Sequence, residues 1–267
     1  MTTFDWTGFL AVSGSSLVAT AVLMLVTALI GAKIGRHNVV DVTWGAGFVL
    51  IAFVAAAVGT GELWRRLLLA AIVGLWGMRL ALHMFRRSRG KGEDPRYEEM
   101  LSRAPGNPTL YALRKIYFTQ AIALWFVSLP VQVSAVAHGS IALVAAVGVA
   151  LWSVGLAFEA IGDAQLSAFK AASANRGKIM DKGLWSWTRH PNYFGDACVW
   201  WGIFLIGASA WPGVFTLLSP IAMTYFLVFA TGARLLEKSM ANRDGYSEYQ
   251  RRTSYFVPLP PSRKSSS

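Results

Sequence analysis

Arg189-His190-Pro191-Asn192-Tyr193-Phe194-Gly195-Asp196 puts a guanidinium, an imidazole, an amide, a phenol and a carboxylate directly ahead of an apolar run over 197–206. Pro191 suits the first turn of a helix, where its missing N–H has no partner to lose. The free N–H groups of such a helix start, with Arg189 and His190 beside them, attract phosphates and carboxylates. Asn192 and Asp196 are four apart and share a face. A carboxylate placed just inside a membrane is costly, so the default reading is functional.

Further polar residues lie where apolar runs begin or end. Glu159 and Asp163 are four apart, suited to ribose hydroxyls, an amide or a cation, and Lys170, Arg176, Lys178 and Lys182 follow as partners for phosphate. Asp41 and Trp44 share a face at the start of another run. Arg79 and His83 are four apart within a third; an interior Arg79 needs an acid or an anionic ligand, and His83 can donate a proton or polarise a carbonyl. The loop holding Glu93, Asp94, Arg96 and Tyr97 mixes charges with a turn and suits closure over a ligand. Arg234 and Lys238 line one face of a late helix end. Plainer readings compete: solvated helix ends, cations that complement helix dipoles, a snorkelling arginine and a satisfied interior histidine. No G-x-G-x-x-G, G-x-x-x-x-G-K-[ST] or H-E-x-x-H pattern occurs.

The elements that must position these groups are read from composition. Hydrophobic residues make up 54% and charged ones 15%, and mean hydropathy is +0.44, too apolar for an ordinary soluble domain. Seven apolar runs of spanning length predict an all-α polytopic membrane protein with spans at 8–31, 40–60, 64–85, 117–136, 140–160, 193–210 and 211–233, the last two separated by a turn at 210–213. The first span lacks the features of a signal peptide. With the N-terminus outside and the C-terminus cytoplasmic, the segments 32–39, 86–116, 161–192 and 234–267 hold 22 of the 25 Lys and Arg residues. The pI of about 10.1 therefore reports orientation, and attraction to anionic headgroups, rather than nucleic-acid binding. This topology implies the cell inner membrane, with the site facing the cytoplasm. The single cysteine, Cys198, excludes a disulfide within the chain and a cysteine-based metal site, and no metal is expected. Residues 1–257 read as one domain and 258–267 as a disordered tail. The expected partners are the bilayer and an apolar small molecule, and the chain is expected to be a monomer.

Asp41-x-x-Trp44-Gly45, Trp76-Gly77-x-Arg79-Leu80, Glu93-Asp94-x-Arg96-Tyr97 and Arg189-His190-Pro191-Asn192-Tyr193-x-Gly195-Asp196 together resemble the bacterial DUF1295 family, over about 36–258. That family is similar to the C-terminal domain of steroid 5-alpha-reductases. The resemblance implies a seven-helix membrane reductase that uses NADPH in a cytoplasm-facing cavity and passes a hydride to an activated C=C bond of a lipid-like or steroid-like substrate. It implies cofactor binding by Glu159, Asp163, Lys170, Lys178, Arg189, His190, Asn192, Tyr193, Asp196, Arg234 and Lys238. It implies a catalytic role for Asp41, Arg79 and His83, and substrate or loop roles for Trp44, Glu93, Asp94, Arg96 and Tyr97. The Gln-Glu pair of steroid reductases falls on Thr43-Trp44 and their catalytic tyrosine on His83, so both depart from the steroid pattern. A rival resemblance starts from the same segment. Arg-His-Pro-x-Tyr-x-Gly followed by Glu237, Tyr246-x-x-Tyr249 and Pro258 is also similar to isoprenylcysteine carboxyl methyltransferases and phospholipid N-methyltransferases, which use S-adenosylmethionine.

Overall fold

A computed structural model describes residues 4–261. The protein is all-α: among the described residues no strand forms, and Thr188 and Ser254 make one isolated bridge. The helices are α1 (Trp6–Ile34), α2 (Val39–Val58), α3 (Leu63–Ser88), α4 (Pro95–Ser102), α5 (Pro108–Ala112), α6 (Thr119–Val127), α7 (Leu129–Ser134), α8 (Ala142–Ala171), α9 (Pro191–Ala208), α10 (Leu218–Tyr225), α11 (Ala233–Met240) and α12 (Tyr246–Arg252). Among the described residues, five stretches are long and apolar enough to cross a membrane: α1, α2, α3, α8 and the composite Gly213–Met240. Most of α1's large apolar side chains, Leu10, Val18, Val22, Leu25 and Leu29 among them, are exposed, as lipid-facing residues must be.

Two of the seven expected spans take other forms. The run at 117–136 is divided into a π-helical turn (Leu113–Phe118), α6 and α7. The break falls at Ser128, and Pro130, with no N–H to donate, sits in the first turn of α7. The run at 193–210 is α9, whose 18 residues begin with Pro191, Asn192, Tyr193 and Asp196 and are correspondingly less apolar. The helix expected to end near 160 continues as α8 to Ala171, carrying Glu159 and Asp163 inside it.

The described chain forms two compact units: residues up to 142 with 206–219, and 143–205 with 220 onward. In the first, α2 packs against both α1 and α3. Gly45 and Gly77 let α2 and α3 touch backbone to backbone, since a Cβ on Gly45 would lie 2.5 Å from the Gly77 carbonyl oxygen. In the second unit α8 and α9 cross in the same way, through Gly155 and Gly195. Of the expected tail, 262–267 lie outside the described residues, while the Leu259 N–H donates to the Trp187 carbonyl at 3.0 Å.

Candidate functional site

Each unit carries its own polar constellation. In the first, the expected loop 86–116 folds around the start of α2. Glu93 accepts the backbone N–H groups of His37 and, at 2.9 Å, Asn38, so the anion at the α2 N-terminus is a side chain of the protein itself. Asp94 caps α4 by accepting the Arg96 N–H at 2.9 Å, and Pro95 fills the first helical position. Burial works to raise the Asp94 carboxyl, but the Arg96 guanidinium and backbone N–H outweigh it and hold it below the ordinary value. The loop thereby delivers two donors to Asp41: the Tyr97 hydroxyl at 2.7 Å and Arg96 Nη2 at 3.4 Å. Burial, then the Asp41 carboxylate, push the Tyr97 phenol above its ordinary value, so it stays a protonated donor.

Asp41, Arg96 and Tyr97, assigned different roles from sequence, thus meet at one point. Arg79 and His83 lie four apart on α3, each engaged by neighbours. Trp44 packs edge-on against Phe48, with centroids 5.1 Å apart.

In the second unit the close approach of α8 and α9 sets Gly195 against Glu159 and Asn192 against Asp163. A Cβ on Gly195 would sit 2.5 Å from the Glu159 backbone nitrogen, so only glycine admits this contact. Glu159 is 3% exposed, Asp163 8% and Asp196 7%. These carboxylates are buried inside the helices, which removes the solvated-end reading. Asn192 donates from Nδ2 to Asp163 Oδ1 at 3.2 Å, joining the two helices. The Trp185 indole N–H donates to the Gly162 carbonyl at 3.0 Å and fixes the following segment against α8.

A second cluster in this unit surrounds Glu237 of α11. Its Oε1 accepts from Arg189 Nε at 2.8 Å, His190 Nε2 at 3.1 Å and the Tyr246 hydroxyl at 2.7 Å, and its Oε2 accepts from the Gln250 amide. Arg189 also donates to the carbonyls of Gln250 and Thr253, both at 2.9 Å, and lies 5.3 Å over the Tyr255 ring. Arg189 and His190, expected to attract the anion of a ligand, thus meet a carboxylate of the chain itself, on α11. His190, 3% exposed, stacks on Tyr193 with centroids 5.8 Å apart. Burial, then Glu237, push the Tyr246 phenol up, so it too remains a donor. Lys170 lies in the last turn of α8, Lys178 in the segment after it, and Arg234 and Lys238 on α11.

The reductase-like assignment had left out Glu237, Tyr246 and Gln250. Their signal was the combination of one carboxylate in a basic helix end with Tyr246-x-x-Tyr249, the layout of the rival resemblance. No metal-ligand cluster occurs among the described residues.

Neither the curated proteins nor the solved structures offer a match to this chain. A family model does match, over residues 27–253, a range that holds both polar constellations; its description is "Protein of unknown function (DUF1295)". The chain belongs to the DUF1295 family.

Proposed function

We propose that the chain is an integral-membrane oxidoreductase of the cell inner membrane that reduces an activated C=C bond of a lipid-like substrate with NADPH, its segments 86–116 and 161–192 facing the cytoplasm. The observation that carries this reading is the Tyr97 hydroxyl held 2.7 Å from Asp41 and flanked by Arg96. Adding hydride to a conjugated acceptor leaves charge on the activating oxygen, and the single Tyr97 proton, given to Asp41 in this structure, would turn to that oxygen, with the Arg96 guanidinium beside it. Methyl transfer to a nucleophile requires no such donor. NADPH, when bound, supplies the hydride. For holding it, Glu159, Asp163, Asn192 and Asp196 offer carboxylates and an amide to ribose and carboxamide, and Lys170, Lys178 and Arg234 offer cations to phosphates. The part-buried Asn192–Asp163 hydrogen bond supports this fit, because buried acids in apolar helices are retained at a cost.

One observation favours a second reading. Arg189, His190, Glu237 and Tyr246, the residues shared with the membrane methyltransferases, are assembled around one carboxylate. Thermal melting of the detergent-solubilised chain with NADPH, NADH and S-adenosylmethionine in parallel separates the two. The expected result is a rise with NADPH that disappears in the Asn192→Ala/Asp196→Ala double variant. A rise with S-adenosylmethionine alone selects the transferase. Tyr97→Phe is expected to lower turnover of a conjugated ketone or ester by about 100-fold, on the scale of a lost oxyanion donor. It should leave the NADPH-induced rise intact; unchanged turnover removes Tyr97 from the chemistry.

A further inference from the structure

We propose that a cavity at the C-terminal end of α1, within the first unit, binds the ammonium headgroup of a membrane phospholipid. The cavity measures about 500 Å³ and exists because the residues there are small: Gly31, Ala32 and Gly35 form one side of it. Gly31 has no room for a side chain, since a Cβ would lie 2.5 Å from the Tyr117 hydroxyl. Gly35 ends α1 in the left-handed conformation, φ 69°, with its N–H on the Gly31 carbonyl. His37, Glu93, Glu98, Leu101 and Thr109 complete the lining.

The lining favours a cation that carries N–H donors. The negative end of the α1 dipole points toward it. Glu93 directs its oxygens to the N–H groups at the start of α2. The charge of Glu98, on α4, is not matched in this way: among the described residues no ion pair engages it. One neighbouring cation, Arg36, is turned elsewhere, because its Nη1 donates to the Lys91 carbonyl at 2.6 Å and the Ser88 carbonyl at 3.4 Å. His37 is held by the Tyr117 hydroxyl at 2.8 Å from Nδ1. Thr109 adds a hydroxyl. This is an acceptor-rich recess on a strongly basic chain, which repels soluble cations at long range. A lipid ammonium is delivered by its own acyl chains instead.

Exposed Leu25, Val26, Leu29 and Ile30 run along α1 toward the cavity, and exposed Leu110 adjoins Thr109. Lys33, in the last turn of α1, is placed for the lipid phosphate. An apolar track, a cation and an acceptor-rich recess in that order match an ethanolamine phospholipid.

The test is independent of the reductase reading. The full chain in detergent is melted with added phosphatidylethanolamine, phosphatidylglycerol or ethanolamine hydrochloride. Phosphatidylethanolamine is expected to raise the melting temperature by at least about 4 °C. That rise is expected to vanish in Glu98→Gln. Because Glu98 is exposed, the variant should melt like the parent without lipid. An equal rise with phosphatidylglycerol, or a full rise retained by Glu98→Gln, overturns the proposal. A rise with ethanolamine alone as large as with the lipid overturns the lipid assignment and leaves a soluble amine as the ligand.

Discussion

Glu237→Ala is expected to lower the melting temperature of the solubilised chain by roughly 10 °C. Two cationic or cation-capable side chains, Arg189 and His190, share the Glu237 carboxylate with Tyr246 and Gln250. The Arg189 and Glu237 side chains are 11% and 13% exposed, so water reaches them poorly. Removing one partner of such a pair leaves the other charge desolvated, a change of about 3–5 kcal/mol, and in a chain this long each kcal/mol moves the midpoint by about 2–4 °C. The carboxylate also joins the start of α9 to α11 and α12, so its loss should expose the segment after α10 to protease. A charge-free pair separates the interaction from mere packing. Arg189→Met combined with Glu237→Met removes both charges and should be less damaging than Glu237→Ala, because no unpaired charge remains. Additive losses in that double variant, or a drop below about 2 °C in Glu237→Ala, would show that the cluster is not coupled.

The parts of this fold that hydropathy marks well are helices whose spanning length is uninterrupted. The runs expected at 8–31, 40–60 and 64–85 appear as Trp6–Ile34, Val39–Val58 and Leu63–Ser88. The helix start at Pro191 was equally legible, because proline at the first position is a local signal. The end of α8 was not. Apolar character stops near Glu159, but Gly155 and Gly162 allow α9 to cover the acids, so the helix stays buried for several residues more. The run at 117–136 was misleading for the opposite reason: it is predominantly apolar along its length, yet Ser128 and Pro130 divide it. The site shows the same division. Polar residues four apart on one helix are visible in a sequence, and Glu159 with Asp163 were found that way. Glu237 and Arg189 are 48 positions apart, and Tyr97 and Asp41 are 56 apart, so chain folding alone pairs them. Arg65 and Arg66, two of the three basic residues outside the segments 32–39, 86–116, 161–192 and 234–267, are both structural: Arg66 donates to the carbonyls of Ala56, Gly59 and Gly61.

Arg65→Leu should be at least as damaging as Glu237→Ala, with an expected loss of about 3–5 kcal/mol, again roughly 10 °C in melting temperature. Arg65 is fully buried, and it stands in the first turn of α3, where a cation opposes the helix dipole. Both features are unfavourable by themselves. They are offset by the carbonyls that the guanidinium gathers: Gly139 at 2.6 Å from Nη1, Ala137 from Nη2, and Ser134 at 3.4 Å from both Nε and Nη2. Ser134 is the last residue of α7, so the cation meets the negative end of that helix. The same stretch accepts from the chain entering α3, through Gly61 N–H to the Ala135 carbonyl at 2.8 Å and Glu62 N–H to Ala137 at 3.3 Å. Leucine matches neither the reach nor the donors, and it takes the guanidinium away from the carbonyls of Ser134 and Ala137, which are buried, and of Gly139. Lysine keeps the charge but concentrates its donors at one point, and it cannot span carbonyls five residues apart in the chain as a planar fork does. The order of stability should therefore be arginine, then lysine, then leucine. Melting of the three chains in one detergent checks it. Leucine equal to arginine would mean that the carbonyls find other donors and that the guanidinium is dispensable.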